Sequence, residues 1–338
     1  SQSDNKVICG LQDNGTKLRS NTGAWTDNIG GDGMECFIHP TNANIMYGEF
    51  QYGEIRRSTN GGASWSNIYN NLPDDFTGSW VTPYLMDPTT PTTIYVGYND
   101  VYKSTNQGNT WTAISTGLSP NSTLRFVVVS PVNSQIIYAS DGYAIWKTTN
   151  GGANWSAVNG NLPNSLITYL SVHPENADLV YVTFGGYTSG RKVYQSTSGG
   201  TSWTNISGSL PNLPANCVLV QPNSNSVLYV GMDVGVYRLE PGAQDWTLFN
   251  TGLPNVPVTE LEIRHSTGKL RASTYGRGLW ESALEPLTNP CNAPENLSVT
   301  DIGPRLATLN WDVVNTATKY TVELREADHR PAERQRDD

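Results

Sequence analysis

One turn motif recurs along the chain and limits its possible folds more than any other feature. The motif has the form Ser/Thr-x-Asn/Ser-x-Gly-x-x-Trp, and its clear copies are Ser58–Trp65, Ser104–Trp111, Thr148–Trp155 and Ser196–Trp203. Degenerate copies end at Trp25 and Trp246, so successive tryptophans lie 40–48 residues apart. An internal period of ~40–50 residues is typical of repeat architectures such as solenoids and propellers. The chain is therefore expected to consist of repeated supersecondary units.

Each copy of the repeat predicts four short strands. In the copy over residues 167–206, the predicted strands are Ile167–Val172, Leu179–Phe184, Val193–Ser196 and Trp203–Ile206. Short strands with evenly spaced turn signals indicate an antiparallel meander, and meanders arranged radially form a propeller. The 17 tyrosines and 10 tryptophans agree with this all-β prediction, because aromatic residues suit pleated, half-buried strands.

The number of copies predicts a single propeller of seven blades over residues 1–285. Five complete copies begin near Glu35, Val81, Leu124, Ile167 and Ala215. A partial copy over residues 7–29 lacks its first strand, and another over residues 258–282 lacks its fourth strand. We expect the absent strands to come from upstream sequence.

The repeat pattern stops after Ser282. Residues 286–294 are expected to be a linker, and residues 295–325 resemble the first three strands of a fibronectin type III domain. Residues 326–338 form a charged tail that does not continue this pattern. We therefore expect a partial fibronectin-like segment after the propeller, with both ends of the chain cut from a longer protein.

The recurring turn resembles the Asp box, Ser-x-Asp-x-Gly-x-x-Trp, of sialidases, xyloglucanase-type glycoside hydrolases and sortilin-like propellers. Here Asn or Ser replaces the Asp at residues 60, 106, 150 and 198. In those families the turn joins the third and fourth strands on the face opposite the active site, and its Trp packs between blades. The resemblance implies a structural role for Trp65, Trp111, Trp155 and Trp203. The order of propeller and fibronectin-like segment is also similar to that of large secreted proteins of bacterial surfaces.

The predicted strand order also indicates where a ligand would bind. Turns between second and third strands share one face with the links between blades, and propeller pockets usually lie on that face. Exposed aromatic rings and carboxylates there suit sugars, which stack on the rings and hydrogen-bond through their hydroxyls. The candidate ligand-binding residues are Glu35, Tyr52, Asp74, Asp75, Trp80, Tyr98, Tyr143, Asp233, Tyr275 and Arg277.

Asp13 and Asp32 are the candidate catalytic pair. Asp13 lies in a hairpin turn of the first blade, and Asp32 lies in the glycine-rich link Gly30–Glu35, which departs from the Leu-Pro pattern of the other links. Two carboxylates could act as acid and base, or acid and nucleophile, in glycoside hydrolysis. They could instead share a calcium ion or serve only as turn residues. No other cofactor and no metal site are predicted, because the histidines lie mostly in turns of the opposite face.

Composition excludes several other classes of function. The net charge is −9 with no cluster of Lys or Arg, which argues against nucleic acid as a partner. No apolar run is long enough to span a bilayer. The four cysteines are widely spaced, which disfavours a zinc site. They are expected to be isolated thiols, with a Cys9–Cys36 disulfide as the alternative.

Two classes of function fit these observations. The first is a carbohydrate-directed propeller, glycan-binding or glycoside-hydrolase-like, which the xyloglucanase resemblance suggests could be half of a two-propeller enzyme. The second is a non-catalytic adhesion or protein-binding module of a bacterial surface protein. We expect a polysaccharide or glycan partner, a monomer or a pairing with an upstream propeller, and an extracellular or cell-surface location. Fold alone does not choose between the two classes.

Overall fold

The computed structural model describes residues 6–73, 77–222, 226–264, 266–284, 296–300 and 308–312. The chain divides into two compact units, residues 1–284 and 285–338. The first unit is all-β, and its seven antiparallel blades form a β-propeller, which confirms the predicted fold class and blade count. Its only described helical turns are the short 3-10 segments Gln51–Gly53 and Tyr69–Asn71.

The first four blades contain fifteen strands. Blade 1 consists of β1 (Val7–Leu11), β2 (Gly15–Arg19) and β3 (Trp25–Ile29). Blade 2 consists of β4 (Gly33–Ile38), β5 (Met46–Phe50), β6 (Glu54–Ser58) and β7 (Ser66–Asn67). Blade 3 consists of β8 (Tyr84–Met86), β9 (Ile94–Gly97), β10 (Val101–Ser104) and β11 (Thr112–Ala113). Blade 4 consists of β12 (Phe126–Val129), β13 (Ile137–Ser140), β14 (Ile145–Thr148) and β15 (Ser156–Ala157).

The remaining blades complete the first unit. Blade 5 consists of β16 (Ile167–His173), β17 (Asn176–Phe184), β18 (Val193–Ser196) and β19 (Thr204–Asn205). Blade 6 consists of β20 (Ala215–Val220), β21 (Leu228–Met232), β22 (Gly235–Leu239) and β23 (Thr247–Leu248). Blade 7 consists of β24 (Val258–Arg264), β25 (Lys269–Thr274) and β26 (Gly278–Ala283). In the second unit, β27 (Ser298–Thr300) pairs with β28 (Thr308–Asn310) as an antiparallel hairpin.

Strands follow chain order in every blade, with each strand antiparallel to the next. Blades 1 and 7 have three described strands each, whereas blades 2 to 6 have four. In blade 1 a shortened form of the repeat turn, Ser20–Trp25, joins β2 to β3. Since this turn joins third and fourth strands elsewhere, β1 is a second strand and blade 1 has no described first strand.

The core lies along the second strands of the blades. Each of blades 2 to 6 buries one tyrosine at the same strand position, and all five are fully inaccessible: Tyr47, Tyr95, Tyr138, Tyr181 and Tyr229. A buried phenol is usually hydrogen-bonded through its hydroxyl, and in two blades the residue that follows the first strand supplies the partner. The Tyr95 hydroxyl donates to Asp87 (3.1 Å) and that of Tyr229 to Gln221 (3.0 Å).

The repeat turns share one hydrogen-bond network. In blade 3 the Ser104 hydroxyl accepts the backbone N–H of Gly108 (2.8 Å), and the Asn106 side-chain oxygen accepts that of Thr110 (2.9 Å). The Asn106 amide donates in turn to the Thr110 hydroxyl (2.9 Å). Blades 2, 4 and 5 repeat the two backbone contacts at the matching positions. An Asn or Ser therefore fills the acceptor role at the third motif position.

The tryptophans of these turns connect each blade to the one before it. The indole N–H groups of Trp111, Trp155, Trp203 and Trp246 donate to backbone carbonyls just after the fourth strand of the preceding blade, at 2.7–3.1 Å. The Trp65 indole donates to the Asn28 side chain of blade 1 (3.3 Å). Trp25 differs from these tryptophans, because it pairs with Arg19 and is 51% exposed. The turn before it is two residues shorter than the other repeat turns, and no fourth strand of blade 7 is described.

The histidines and cysteines have structural surroundings. His39 and His173 are buried and accept backbone N–H groups within their own turns, on the face opposite the predicted site. Cys9, Cys36 and Cys217 are free thiols, so the alternative Cys9–Cys36 disulfide is not formed in this structure. His265 and Cys291 lie outside the described residues.

Candidate ligand-binding face

The turn between the second and third strands of blade 2 meets the link to blade 3. Tyr52 adopts a left-handed conformation there (φ 65°), which is uncommon for a residue other than glycine. Its backbone carbonyl accepts the Gly78 N–H (2.9 Å), and its N–H donates to the Trp80 carbonyl (3.4 Å). The link is thereby held against the turn.

These contacts bring two exposed aromatic rings together. The rings of Tyr52 and Trp80 pack edge to face, with their centroids 5.2 Å apart and their planes at 83°. The two side chains remain 46% and 42% exposed, respectively. Two predicted ligand-binding residues from different segments therefore form one aromatic corner, which leaves ring surface free for stacking.

A cleft of 380 Å³ lies against the same turn. It is lined by Phe50, Gln51, Tyr52, Gly53, Glu54, Tyr69 and Thr77. The Gln51 side-chain oxygen is buried and has no hydrogen-bond partner among the described residues. A buried acceptor without a donor is costly, so this oxygen is an unsatisfied polar group beside the cleft.

A buried carboxyl supports the cleft from below. Glu49 is fully inaccessible, and its Oε1 accepts the backbone N–H groups of Gly53 (3.1 Å) and Thr82 (2.9 Å). Its Oε2 has no partner among the described residues. Burial raises the pKa of Glu49 to about 8, against the lowering effect of the N–H donors. Glu49 therefore joins the turn to the link without reaching a ligand itself.

Tyr98 was predicted to contact ligand, but the structure places it beneath the surface. The side chain is 1% exposed, and its hydroxyl donates to the carbonyl of Gly53 (2.8 Å). Tyr98 therefore fixes the floor of the blade 2 turn rather than lining the candidate face. The sequence did not indicate this difference, because Tyr52 of blade 2 and Tyr98 of blade 3 stand in corresponding turns.

Other predicted residues lie on separate blades of the same face. Tyr143 and Tyr275 are 58% and 67% exposed, in the matching turns of blades 4 and 7. The Asp233 carboxylate accepts the Asn216 side-chain amide (3.0 Å), and the exposed Arg277 donates to the Gly276 carbonyl (3.3 Å). These residues belong to different blades from the aromatic corner. Asp74 and Asp75 lie outside the described residues.

Asp13 and Asp32 meet through a single contact. The Asp32 carboxylate accepts the backbone N–H of Asp13 (2.6 Å), whose φ of 61° is also left-handed. Asp32 thus ties the link between blades 1 and 2 to the first hairpin turn. Within the described residues, no group of three or more His, Cys, Asp or Glu side chains is arranged to hold a metal ion.

A second carboxylate group lies in the centre of the propeller. Burial and the negative charges of Glu260, Glu49 and Glu262 raise the pKa of Glu35 well above its usual value. Burial, with the charge of Glu262, also raises the pKa of Glu260 to about 7. Glu35 lies on β4, and Glu260 and Glu262 lie on β24, so the first strands of blades 2 and 7 place like charges near one another.

Three of these carboxylates, those of Glu49, Glu260 and Glu262, were not predicted from the sequence. Glu49 and Glu260 nevertheless differ from the residues at matching positions of other blades. Glu49 occupies the second-strand position that Gly97, Ser140, Thr183 and Gly231 occupy in other blades. Glu260 follows a β-bulge in its first strand, as do Tyr169 and Cys217 in theirs. An acidic residue where other copies are small or apolar is a detectable departure. Glu262 is exposed and shows no such contrast.

Comparison with known proteins supports the fold without identifying the chain. A family model described as sortilin, neurotensin receptor 3 (Sortilin-Vps10) matches residues 99–230, less than half of the chain. No curated protein matches the chain. Within the described residues, no helix is long and apolar enough to cross a membrane.

Solved structures similar to this chain include an ancestral GH74 enzyme, with a TM-score of 0.65 and 15% identity over 92% of this chain. The extracellular domain of a putative one-component system from B. thetaiotaomicron matches with a TM-score of 0.56 and 16% identity over 82%. YCF48 bound to D1 peptide matches with a TM-score of 0.60 and 14% identity over 84%.

These structures differ in how much of their own length is matched. The chain spans about half of the GH74 enzyme (47%) and 38% of the extracellular domain, but 91% of YCF48. The neighbours thus include a glycoside-hydrolase-type enzyme and an extracellular propeller. At these identities the likeness establishes the β-propeller fold alone.

Proposed function

We propose that this chain is a glycan-binding, glycoside-hydrolase-like propeller of an extracellular or cell-surface protein. The observation that carries the proposal is the exposed aromatic corner of Tyr52 and Trp80 at the edge of a cleft. A sugar ring has apolar faces that stack on aromatic rings, while its hydroxyls require polar partners. Gln51 and Glu54 line the cleft and offer such partners.

Binding alone is the stronger form of this proposal. Asp13 and Asp32 are the proposed carboxylates if hydrolysis occurs, but Asp32 already bonds to the Asp13 backbone. That contact favours a role for Asp32 in holding the turn. The likeness to about half of a GH74 enzyme supports the further proposal that any hydrolytic cleft would need a second propeller.

The test is glycan binding by matched aromatic variants. We would screen the wild-type chain on a glycan array, and then titrate xyloglucan oligosaccharides and the strongest array ligand by calorimetry. Trp80→Ala and Tyr52→Ala should each weaken binding at least about tenfold, a loss of roughly 1.4 kcal/mol. Trp25→Ala removes an equally exposed tryptophan from the outer strand of blade 1 and should leave binding unchanged.

Two results would overturn the proposed site or function. Failure of the wild-type chain to bind any glycan would exclude the carbohydrate-directed function. Equal losses in Trp80→Ala and Trp25→Ala would place the binding site elsewhere. Reducing-sugar release by wild type, Asp13→Asn and Asp32→Asn tests hydrolysis, and equal release by all three would exclude this carboxylate pair.

A peptide-binding module is the second candidate function. The observation that favours it is the group of like charges at Glu35, Glu260 and Glu262, which suits a cationic side chain. The likeness to nearly all of YCF48, bound to a peptide, supports the same class. A peptide array enriched in Lys and Arg would distinguish it, because those peptides should bind regardless of Trp80→Ala. We also propose that residues 295–325 begin a fibronectin-like module.

A further inference from the structure

The turn between the second and third strands of blade 5 is longer than its counterparts. It comprises the eight residues 185–192, whereas the described turns of the other blades have two to four residues. Residues 186–191 are exposed, and the Tyr187 side chain is 68% exposed. The aromatic corner proposed to bind glycan lies in blade 2 and does not involve this turn.

A buried lysine holds the blade 5 turn together. Lys192 is fully inaccessible, and its Nζ donates to the carbonyl of Gly186 (2.8 Å). The Asn205 side-chain amide, from the fourth strand of the same blade, donates to the Gly190 carbonyl (2.6 Å). Burial lowers the pKa of Lys192, and no ion pair among the described residues includes it. The turn therefore carries a positive charge beneath its surface that no described ion pair neutralises.

Two exposed arginines lie at the same part of the face. Arg191 belongs to the turn itself, and Arg125 ends the link that leads into blade 4. Leu166 connects their surroundings: a Cβ atom placed at Gly142 would lie 2.9 Å from Arg125 Cδ and 3.2 Å from Leu166 Cδ1. The Gly185 N–H, at the start of the blade 5 turn, donates to the Leu166 carbonyl (3.0 Å). The two arginines thus flank one short segment at the junction of blades 4 and 5.

These arginines differ from most other cations of the propeller. Six of those cations form ion pairs with Asp or Glu: Lys17, Arg56, Lys147, Arg238, Lys269 and Arg271. No ion pair among the described residues includes Arg125 or Arg191. Asp141, in the turn of blade 4, uses its carboxylate to accept the backbone N–H groups of Tyr143 (2.9 Å) and Ala144 (2.8 Å). Cationic side chains without acidic partners therefore gather at this junction, although the whole chain has a net charge of −9.

We propose that the junction of blades 4 and 5 is a second binding site, for an anionic sugar residue, in which Arg125 and Arg191 contact the anion. A guanidinium group offers several N–H donors in a planar fork, and its hydrogen bonds to an oxyanion are charge-assisted and strong. Tyr143 (58% exposed) and Tyr187 lie in neighbouring turns of the same face and offer ring surface for stacking. The ligand class is an acidic polysaccharide, whose anion is a uronate carboxylate or a sulfate ester.

Matched oligosaccharides test the role of the anion. We would titrate the 338-residue chain with oligogalacturonate and its neutral methyl ester, and with a sulfated maltooligosaccharide and its unsulfated parent. At least one acidic ligand should bind about tenfold more tightly than its neutral counterpart, and the pair that shows the difference identifies the anion. Raising the salt concentration should reduce this preference, because screening weakens the charge interaction.

Protein variants connect the preference to the proposed residues. Arg125→Gln and Arg191→Gln should each reduce the affinity for the acidic ligand about tenfold and leave that for the neutral ligand unchanged. Lys269→Gln is the matched control, because it removes one positive charge from a half-exposed side chain at the end with the repeat turns. It should keep the preference. Melting curves check that all three variants fold, and hydrogen exchange should show protection of residues 185–192 when the acidic ligand binds.

Several results would overturn this proposal. These are absence of binding by both acidic ligands, equal affinity for acidic and neutral ligands, and a loss in Lys269→Gln as large as that in Arg191→Gln. Equally tight binding of polyglutamate would show that the site responds to any polyanion rather than to an acidic sugar. The blade 2 site is tested separately by the response of glycan binding to Trp80→Ala, so either site can fail while the other stands.

Discussion

The two ends of the propeller use the same repeat in different ways. At the end with the repeat turns, side chains such as Asn106 satisfy the backbone, and Trp203 is 4% exposed between blades. At the opposite end, the turn of blade 2 has a left-handed Tyr52 and exposed rings, and one buried oxygen each of Gln51 and Glu49 has no partner among the described residues. The repeat turns hold the ring together, whereas the blade 2 turn presents aromatic rings to solvent beside a cleft.

The comparison teaches that departures from a repeat carry more functional information than the repeat itself. The motif that revealed the fold occupies the structural end of the molecule. The residues of the candidate face lie in turns and links that differ between blades. Mutations at the two ends should therefore affect different properties.

The largest expected effect is on the interblade tryptophans. Trp203→Ala should lower the free energy of unfolding by about 3–5 kcal/mol, because it leaves a cavity and removes the bond to the Val158 carbonyl. Trp80→Ala should change stability by less than about 1 kcal/mol, since its ring is half exposed. Urea unfolding measures both. A comparable loss in Trp80→Ala would show that the aromatic corner is structural.

The second effect is a pH dependence of stability that arises from Glu49, at the end of the propeller with the candidate ligand-binding face. The carboxyl of Glu49 ionises near its usual pKa in the unfolded chain but only near 8 in the folded protein. Between these values the unfolded state has released a proton that the folded state retains, so stability falls as pH rises from about 4.5 to 8. The melting temperature should be several degrees higher at pH 5 than at pH 8.5.

A neutral replacement tests the assignment to Glu49. Glu49→Gln keeps an oxygen that can accept from Gly53 and Thr82, and it should flatten the upper part of the pH profile. A further fall should persist, because Glu35 and Glu260 also have raised pKa values. An unchanged profile in Glu49→Gln would assign the effect to another group.

A smaller effect should distinguish the acceptor from the rest of the repeat turn. Asn106→Ala removes the acceptor for the Thr110 N–H and should cost about 1–2 kcal/mol. Asn106→Asp retains that oxygen and should cost less, even though it loses the amide donor to the Thr110 hydroxyl. Chemical denaturation of the pair gives the comparison. Equal losses would mean that the donor matters as much as the acceptor.

The smallest effect should come from Asp32. Asp32→Ala removes the acceptor for the Asp13 N–H and should destabilise by about 0.5–1.5 kcal/mol, whereas Asp32→Asn keeps an acceptor and should be nearly neutral. Thermal melts of both variants check this. Destabilisation by Asp32→Asn equal to that of Asp32→Ala would show that charge, rather than the hydrogen bond, is what the turn requires.

The fold could be predicted from sequence because its determinants are local and repeated. The turn chemistry at Asn106 and its counterparts, and the alternating strands, recur in each copy, so seven blades could be counted. The site was harder to predict, because it depends on contacts between segments that share no pattern. The approach of Trp80 to Tyr52, and the burial of Tyr98 under Gly53, arise from the path of one link.

The bond from each tryptophan to the preceding blade has a consequence for how such a protein could change over evolution. In four consecutive blades the donor is the same indole and the acceptor is a carbonyl at the same place, at Ile68, Ile114, Val158 and Ile206. Duplicating one whole copy of the repeat would add one donor and one acceptor and leave none unmatched. A gene for this architecture can therefore gain or lose coding units of one blade while every junction stays chemically compatible, and divergence is left to the links on the other face.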